Sequence, residues 1–256
     1  MSAIAVALAL AAGNASAQFT NAYFFGDSLT DGGSFKPVLP PGTGLFTTNP
    51  GPVWSQLVAQ HYGLNAIPAD QGGTNFAQGG ARVTDLPGVP NSPPTGTATP
   101  IAAQVAQLVG AGPLDRRALY AVWGGANDIF FQLGALGAGA IAPTQLQANV
   151  IGAAESLARQ AGILNAAGAR NVVVFNLPDI GRTPSGAASG QAAQISAVSS
   201  LYNTALIGGL DALGAPTIRV NIQALLNEVE ANPAAFGIAN VTTPACGTTP
   251  SLLCTR

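Results

Sequence analysis

The sequence holds one histidine, His61, two cysteines and one methionine among 256 residues. Nothing in that inventory resembles a metal site. Only 8% of residues are charged and the net charge is -2, which leaves no basic stripe for phosphates and no electrostatic case for nucleic acid. Mean hydropathy is positive, but alanine and glycine supply much of it. No internal apolar run reaches the roughly 18 to 20 residues of a membrane-spanning helix, so the mature chain is expected to be soluble. What the sequence has in quantity is core material: 48% of residues are hydrophobic, ample for one sizeable α/β domain.

Residues 1 to 17, MSAIAVALALAAGNASA, form an apolar stretch ending in the small-x-small pattern Ala15-Ser16-Ala17. They read as an export signal cut before Gln18, with an alanine-rich first helix as the alternative. Residues 18 to 256 then form one domain, and the expected location is secreted, periplasmic or cell-surface. Cys246 and Cys254 lie eight apart. An even cysteine count in an exported chain favours a disulfide over two buried thiols, and closing so short a loop contributes about 2 to 3 kcal/mol in the chain-entropy description.

Short apolar runs alternate with helical patterns, which predicts βαβ units and a parallel sheet. Strands are expected at 21 to 26, 73 to 77, 118 to 124, 171 to 177 and 216 to 220. The run NVVVFNL from Asn171 is β-branched and continuously apolar, as a strand covered on both faces should be. Leu146, Val150, Ala154, Leu157, Ala161 and Leu164 recur at threes and fours, predicting an amphipathic helix over 143 to 168 that opens on Pro143 and ends at Gly168. Further helices are expected over 187 to 213 and over 221 to 231, the latter burying Leu225, Leu226 and Val229. Two stretches rich in Gly, Pro, Thr and Ser, 36 to 52 and 87 to 100, read as long surface loops. They either wall a site at the strand ends or are mobile insertions.

The stretch FFGDSLTDGG, residues 24 to 33, puts Ser28 at the carboxyl end of the first predicted strand, where open α/β sheets place their chemistry. Gly, Asp and Ser are also ordinary turn and cap residues. At a helix N-terminus Ser28 would serve both readings, because exposed N–H groups there favour a developing oxyanion. NFAQGGA, residues 75 to 81, ends in glycines that let backbone N–H groups approach a substrate oxygen closely. VWGGANDIFF, residues 122 to 131, ends a buried strand with Asn127, a neutral amide donor. The bland readings are a turn for the glycines and a cap or Asx-turn for Asn127.

These three motifs, in this order, resemble the first three sequence blocks of the GDSL esterase and lipase family within the SGNH hydrolases, and NLPDIGRTP, residues 176 to 184, is similar to a fourth stretch. The resemblance runs from about residue 20 to the C-terminus. It implies a three-layer α/β/α fold with a central, mostly parallel five-stranded sheet. It also implies an ester hydrolase without metal or organic cofactor, Ser28 being the nucleophile. The oxyanion hole would comprise the Ser28 N–H, the Gly80 N–H and the Asn127 amide, with Gly79 as the alternative to Gly80.

The departure is at the base. The family's last block carries an aspartate and, three residues later, a histidine, and this sequence has no Asp-x-x-His. His61 is expected on the apolar side of a helix with Trp54, Leu57 and Val58, and the late aspartates Asp179 and Asp211 have no histidine to orient. The expectation is therefore an esterase whose sequence here stops short of its Asp-His block. The stretch from NPAAFGIANV to the CGTTPSLLC loop looks like passenger domains of bacterial autotransporter esterases, in which an outer-membrane barrel follows. The competing expectation is a non-catalytic carbohydrate- or lipid-binding module with a degenerate cleft. Expected partners are small-molecule or lipid esters, with short-chain acyl esters, lipids and acetylated sugars all open.

Overall fold

The computed structural model describes residues 19–255, so the expected export signal over 1 to 17 lies outside the described residues. In chain order the elements that position the site are β1 (Ala22–Gly26), α1 (Trp54–His61), α2 (Ile101–Gly110), β2 (Leu119–Trp123), α3 (Ala126–Gly137), α4 (Pro143–Ala166), β3 (Asn171–Phe175), α5 (Pro184–Ala188), α6 (Ala192–Leu213), β4 (Ile218–Val220) and α7 (Ile222–Ala231). The four strands are parallel in the order β1-β2-β3-β4, with Phe24 beside Ala121 and Val122 beside Val174.

Side chains that alternate along the strands enter two layers. Phe25, Tyr120, Val122, Val172 and Val174 pack with Val105 of α2, Ile129 of α3, Leu157 of α4 and Tyr202 of α6. On the other face Phe24, Leu119, Ala121 and Phe175 meet Ala59 and Trp54 of α1 and Ile222 of α7. Both faces are covered, giving the three-layer α/β/α arrangement and explaining why the strands read as continuous apolar runs. The expected stripe on α4 is buried as its spacing predicts, from Leu146 to Leu164, and Pro143 stands in its first turn, where a missing N–H costs nothing.

Among the described residues four strands form, not the five expected. The segment over 73 to 77 does run beside β1: Phe24 N–H donates to Thr74 O at 3.2 Å and Phe76 N–H to Phe24 O at 2.8 Å. It forms a single bridge with β1, Phe24–Asn75, followed by one further bond from Gln78 N–H to Gly26 O at 3.2 Å. Asn75 also exchanges backbone bonds with Ile67 and Ala69, and its side chain accepts the Ala77 N–H at 3.1 Å. Those competing bonds bend the segment out of the ladder. The helix expected from 187 starts at Ala192, after a turn at Ser189 and Gly190. On α7, Val229 is buried as expected, whereas Leu225 is 44% exposed.

Candidate active site

Ser28 follows β1 by two residues and is half-buried. It occupies a turn, not the helix N-terminus considered from the sequence: Thr30 and Asp31 N–H groups donate to Asp27 O at 3.1 and 3.0 Å, and Leu29 N–H donates to Asp27 Oδ1 at 3.1 Å. The turn is stopped by Asp31, whose buried carboxylate accepts the N–H groups of Gly33 and Ser34, both at 2.7 Å, and the Ser34 hydroxyl at 2.8 Å. No helix therefore begins at Ser28 itself. Among the described residues its backbone N–H meets no protein acceptor.

Asp31 also separates the two candidate glycines. Its Oδ2 accepts the Gly79 N–H at 2.9 Å, so that donor is occupied, while the Gly80 N–H has no protein acceptor among the described residues. Gly80 has φ +87°, and a Cβ there would lie 2.6 Å from Val89 O. The position therefore admits glycine on conformational and on steric grounds. Burial raises the Asp31 carboxyl above the ordinary carboxylate range, and its bonds to Ser34, Gly33 and Gly79 work against that shift.

Asn127 stands in the first turn of α3, beyond Gly124-Gly125 rather than on the strand end itself. Gly125 has φ +110° and lies against the Tyr202 ring, whose hydroxyl donates to Gly124 O at 3.0 Å. That bend swings Asn127 back over the sheet, where its Nδ2 donates to Ala81 O at 2.9 Å. An amide nitrogen carries two hydrogens, so one remains. Ser28 and Asn127 line one cavity of about 220 Å³, walled by Trp123, Phe130, Leu177 and Ile180. The Leu177 backbone is fixed in both directions by Asn203 of α6, at 2.8 Å each way. Gly80 does not line this cavity; its neighbour Ala81 is bonded to Asn127, which does. Two larger clefts, of about 530 and 560 Å³, hold none of the candidate residues.

Other expected residues are not brought here. His61 is exposed at the far end of α1, packed edge-on to Tyr62 at 4.9 Å. Tyr62 touches Phe19, ahead of β1, at 4.8 Å. The near end of α1 lies at the carboxyl ends of the strands, with the Trp54 ring 4.7 Å from Phe175. Seven helical residues, about 10 Å of rise, separate the two ends. The buried stripe of α1 is Ser55 and Ala59, and Leu57, expected inside, is 52% exposed. Asp179 caps a short turn through Gly181 N–H at 3.0 Å and accepts the Ser196 hydroxyl at 2.6 Å, and Asp211 pairs with Arg219 on the surface at 2.6 Å. The loops over 36 to 52 and 87 to 100 do not wall the cavity. The segment Leu177–Thr183 does so, along with the turn at Ser28 and the start of α3.

Polar groups gathered at the carboxyl ends of parallel strands mark the open-sheet α/β proteins that bind ligands there. Within that class the chain belongs to the GDSL-like lipase/acylhydrolase family, whose pattern matches residues 23–251. It is 31% identical over 84% of its length to "Esterase EstA" of Pseudomonas aeruginosa. It is 30% identical over 78% of its length to "Lipase 1" of Photorhabdus luminescens. With the "Phosphatidylcholine-sterol acyltransferase" of Aeromonas hydrophila the identity is 30% over 94% of the chain. The matched regions take up 37%, 30% and 69% of those relatives. The chain thus spans about a third of the length of the first two.

Proposed function

We propose that the protein containing this chain hydrolyses carboxylic esters through Ser28, with the Ser28 N–H, the Gly80 N–H and the remaining Asn127 amide hydrogen receiving the oxyanion. The observation that carries the reading is the pairing of Ser28 and Asn127 in one apolar-walled cavity while Asp31 occupies Gly79 and leaves Gly80 unbonded. Ser28 Oγ attacks the ester carbonyl, the donors stabilise the tetrahedral intermediate, alcohol leaves, and water hydrolyses the acyl-enzyme. A serine hydroxyl is almost wholly protonated at neutral pH and needs a base. His61 faces away from the cavity, so the base is proposed to come from an Asp-x-x-His segment following residue 256.

The cavity and its apolar wall fit a small acyl group. Export, surface anchoring through a following outer-membrane barrel, and ester substrates drawn from lipids or acetylated sugars belong to the same proposal. The disulfide between Cys246 and Cys254 supports an oxidising location. Among the described residues no helix is long and apolar enough to cross a membrane.

The test compares residues 1 to 256 with a protein extended through the next downstream Asp-x-x-His, each with and without Ser28→Ala, on a short-chain nitrophenyl ester. Robust turnover is expected only in the extended protein and only with Ser28. Residues 1 to 256 should retain at most the roughly 10³ to 10⁴ over water that triad hydrolases keep after losing a triad member. Full activity in 1 to 256 that disappears in His61→Ala would reassign the base. Feeble activity in both proteins would favour the ligand-binding module.

A further inference from the structure

We infer that Asp128 is a positioning residue whose carboxylate clamps the segment following Gly80 onto the start of α3, holding the Gly80 N–H and the Asn127 amide in one register. The inference rests on the proposed ester-hydrolase reading and deepens it. Asp128 is 2% exposed. Its Oδ2 accepts the Val83 N–H at 3.0 Å, and its Oδ1 lies 3.4 Å from Arg82 Nε. One residue earlier Asn127 donates to Ala81 O. Three consecutive residues after Gly80 are thereby tied to two consecutive residues of α3.

The chemistry of the clamp is directional. Arg82 is 4% exposed, and its guanidinium covers the Phe131 ring at 4.1 Å, one helical turn past Asp128. Its outer end reaches the exposed Asp85 at 3.1 Å. The buried Arg82 Nε finds no hydrogen-bond acceptor, so the Asp128 charge is what compensates it there. Apolar side chains would fill this space at no desolvation cost, and buried ion pairs are weak contributors to stability. What a buried carboxylate adds over an apolar contact is fixed direction. Two donors on separate segments need that if they are to meet one oxygen, because misplacement of about 1 Å costs about 10²-fold in rate.

The test uses the full-length protein and a short-chain nitrophenyl ester, with Ser28→Ala in parallel. Asp128→Ala should lower kcat by about 10²-fold while KM stays within about threefold, the pattern of a lost transition-state interaction. Asp128→Asn keeps an acceptor for the Val83 N–H and should recover about tenfold of that loss. Asp85→Asn, at the exposed end, should leave kcat unchanged. Amide exchange over Gly80 to Val83 should accelerate in Asp128→Ala while the β2 and β3 amides stay protected. A folded Asp128→Ala with wild-type kcat, or with a loss confined to KM, overturns the inference. Should Asp128→Ala not fold, Asp128→Asn decides on the same kcat criterion. If Ser28→Ala remains active, the ester reading falls and the exchange over Gly80 to Val83 alone decides the clamp.

Discussion

Asn127 commits one amide hydrogen to Ala81 O and lines the cavity with Ser28, so on the proposed reading its truncation should act on turnover. In a protein carrying its base, Asn127→Ala should cost about 2.7 to 4 kcal/mol of transition-state stabilisation, mostly in kcat. Unchanged turnover in a folded variant would remove Asn127 from the mechanism. The glycines separate in the same assay. Gly80→Ala forces a side chain onto φ +87° and against Val89 O, whereas Gly79→Ala meets the Phe46 ring, which can shift. Gly80→Ala should therefore impair turnover more, and the opposite order would move the oxyanion donor to Gly79. Asp27, beside Ser28, offers a pH signature. Burial pushes its carboxyl from 3.8 up to about 7, with the Leu29 N–H opposing and Asp128 and Asp31 assisting. A carboxyl raised on folding is stabilising only while protonated, so its contribution falls as pH rises from about 4 to about 7 and is level above that. Asp27→Asn should flatten the pH dependence of unfolding free energy across that window, as read from urea titrations at pH 4.5 and 7.5. An identical slope in variant and wild type would show that Asp27 is not the group responsible.

Gln104 joins two elements that the sequence leaves unrelated. From α2 its side chain accepts the Gly26 N–H at 2.9 Å and donates to Gly26 O at 2.9 Å and Thr99 O at 2.8 Å, fixing the end of β1 directly before Asp27 and Ser28. Gln104→Met keeps the volume but strands a buried backbone donor, so urea unfolding should register a loss of about 1 to 3 kcal/mol. A change below about 0.5 kcal/mol would mean that the freed backbone groups find other partners. Roles of this kind were illegible in the sequence because they depend on partners far along the chain. Gln104 reaches back to Gly26, Asp31 forward to Gly79, and Tyr202 back to Gly124. α1, α4, α6, α7 and four strands were legible because burial on both faces, or on one stripe, writes a local apolar pattern, whereas α2 and α3 were not expected from the sequence. Asn75 shows the limit, since its run has strand composition and its side chain and backbone bonds divert it. Composition leaves open whether the loops over 36 to 52 and 87 to 100 wall a site or are mobile insertions, and the cavity is walled by neither. Its wall is built instead by the segment after β3, whose position Asn203 sets from α6. The candidate glycines stand side by side in their motif, and what distinguishes them is Asp31, which occupies the Gly79 N–H from far along the chain.

At the scale of the whole molecule, the C-terminal disulfide loop is fastened to the long loop after β1. Gly44 N–H donates to Leu252 O at 2.8 Å, Asn49 N–H to Cys254 O at 2.8 Å, and Asn49 Nδ2 to Ser251 O at 2.9 Å. Asn49 is 8% exposed and also accepts the Leu45 N–H at 2.7 Å, so one side chain organises both partners. The clasp ends at Phe46, whose ring lies against Gly79, and it touches neither of the apolar layers that flank the sheet. Opening the bridge should therefore release the clasp and leave the domain folded. Intact mass of protein made in an oxidising compartment should show no alkylatable thiol under denaturing conditions. Reduction, or Cys246→Ser with Cys254→Ser, should speed amide exchange over 44 to 49 and 251 to 255 while the β1 to β3 amides keep their protection. The loss of chain constraint amounts to about 2 to 3 kcal/mol, but it falls on a segment that opens independently of the core, so most of it should appear as local opening. A single melting transition displaced as a unit, with core and clasp amides exchanging together, would mean that the disulfide loop belongs to the cooperative core.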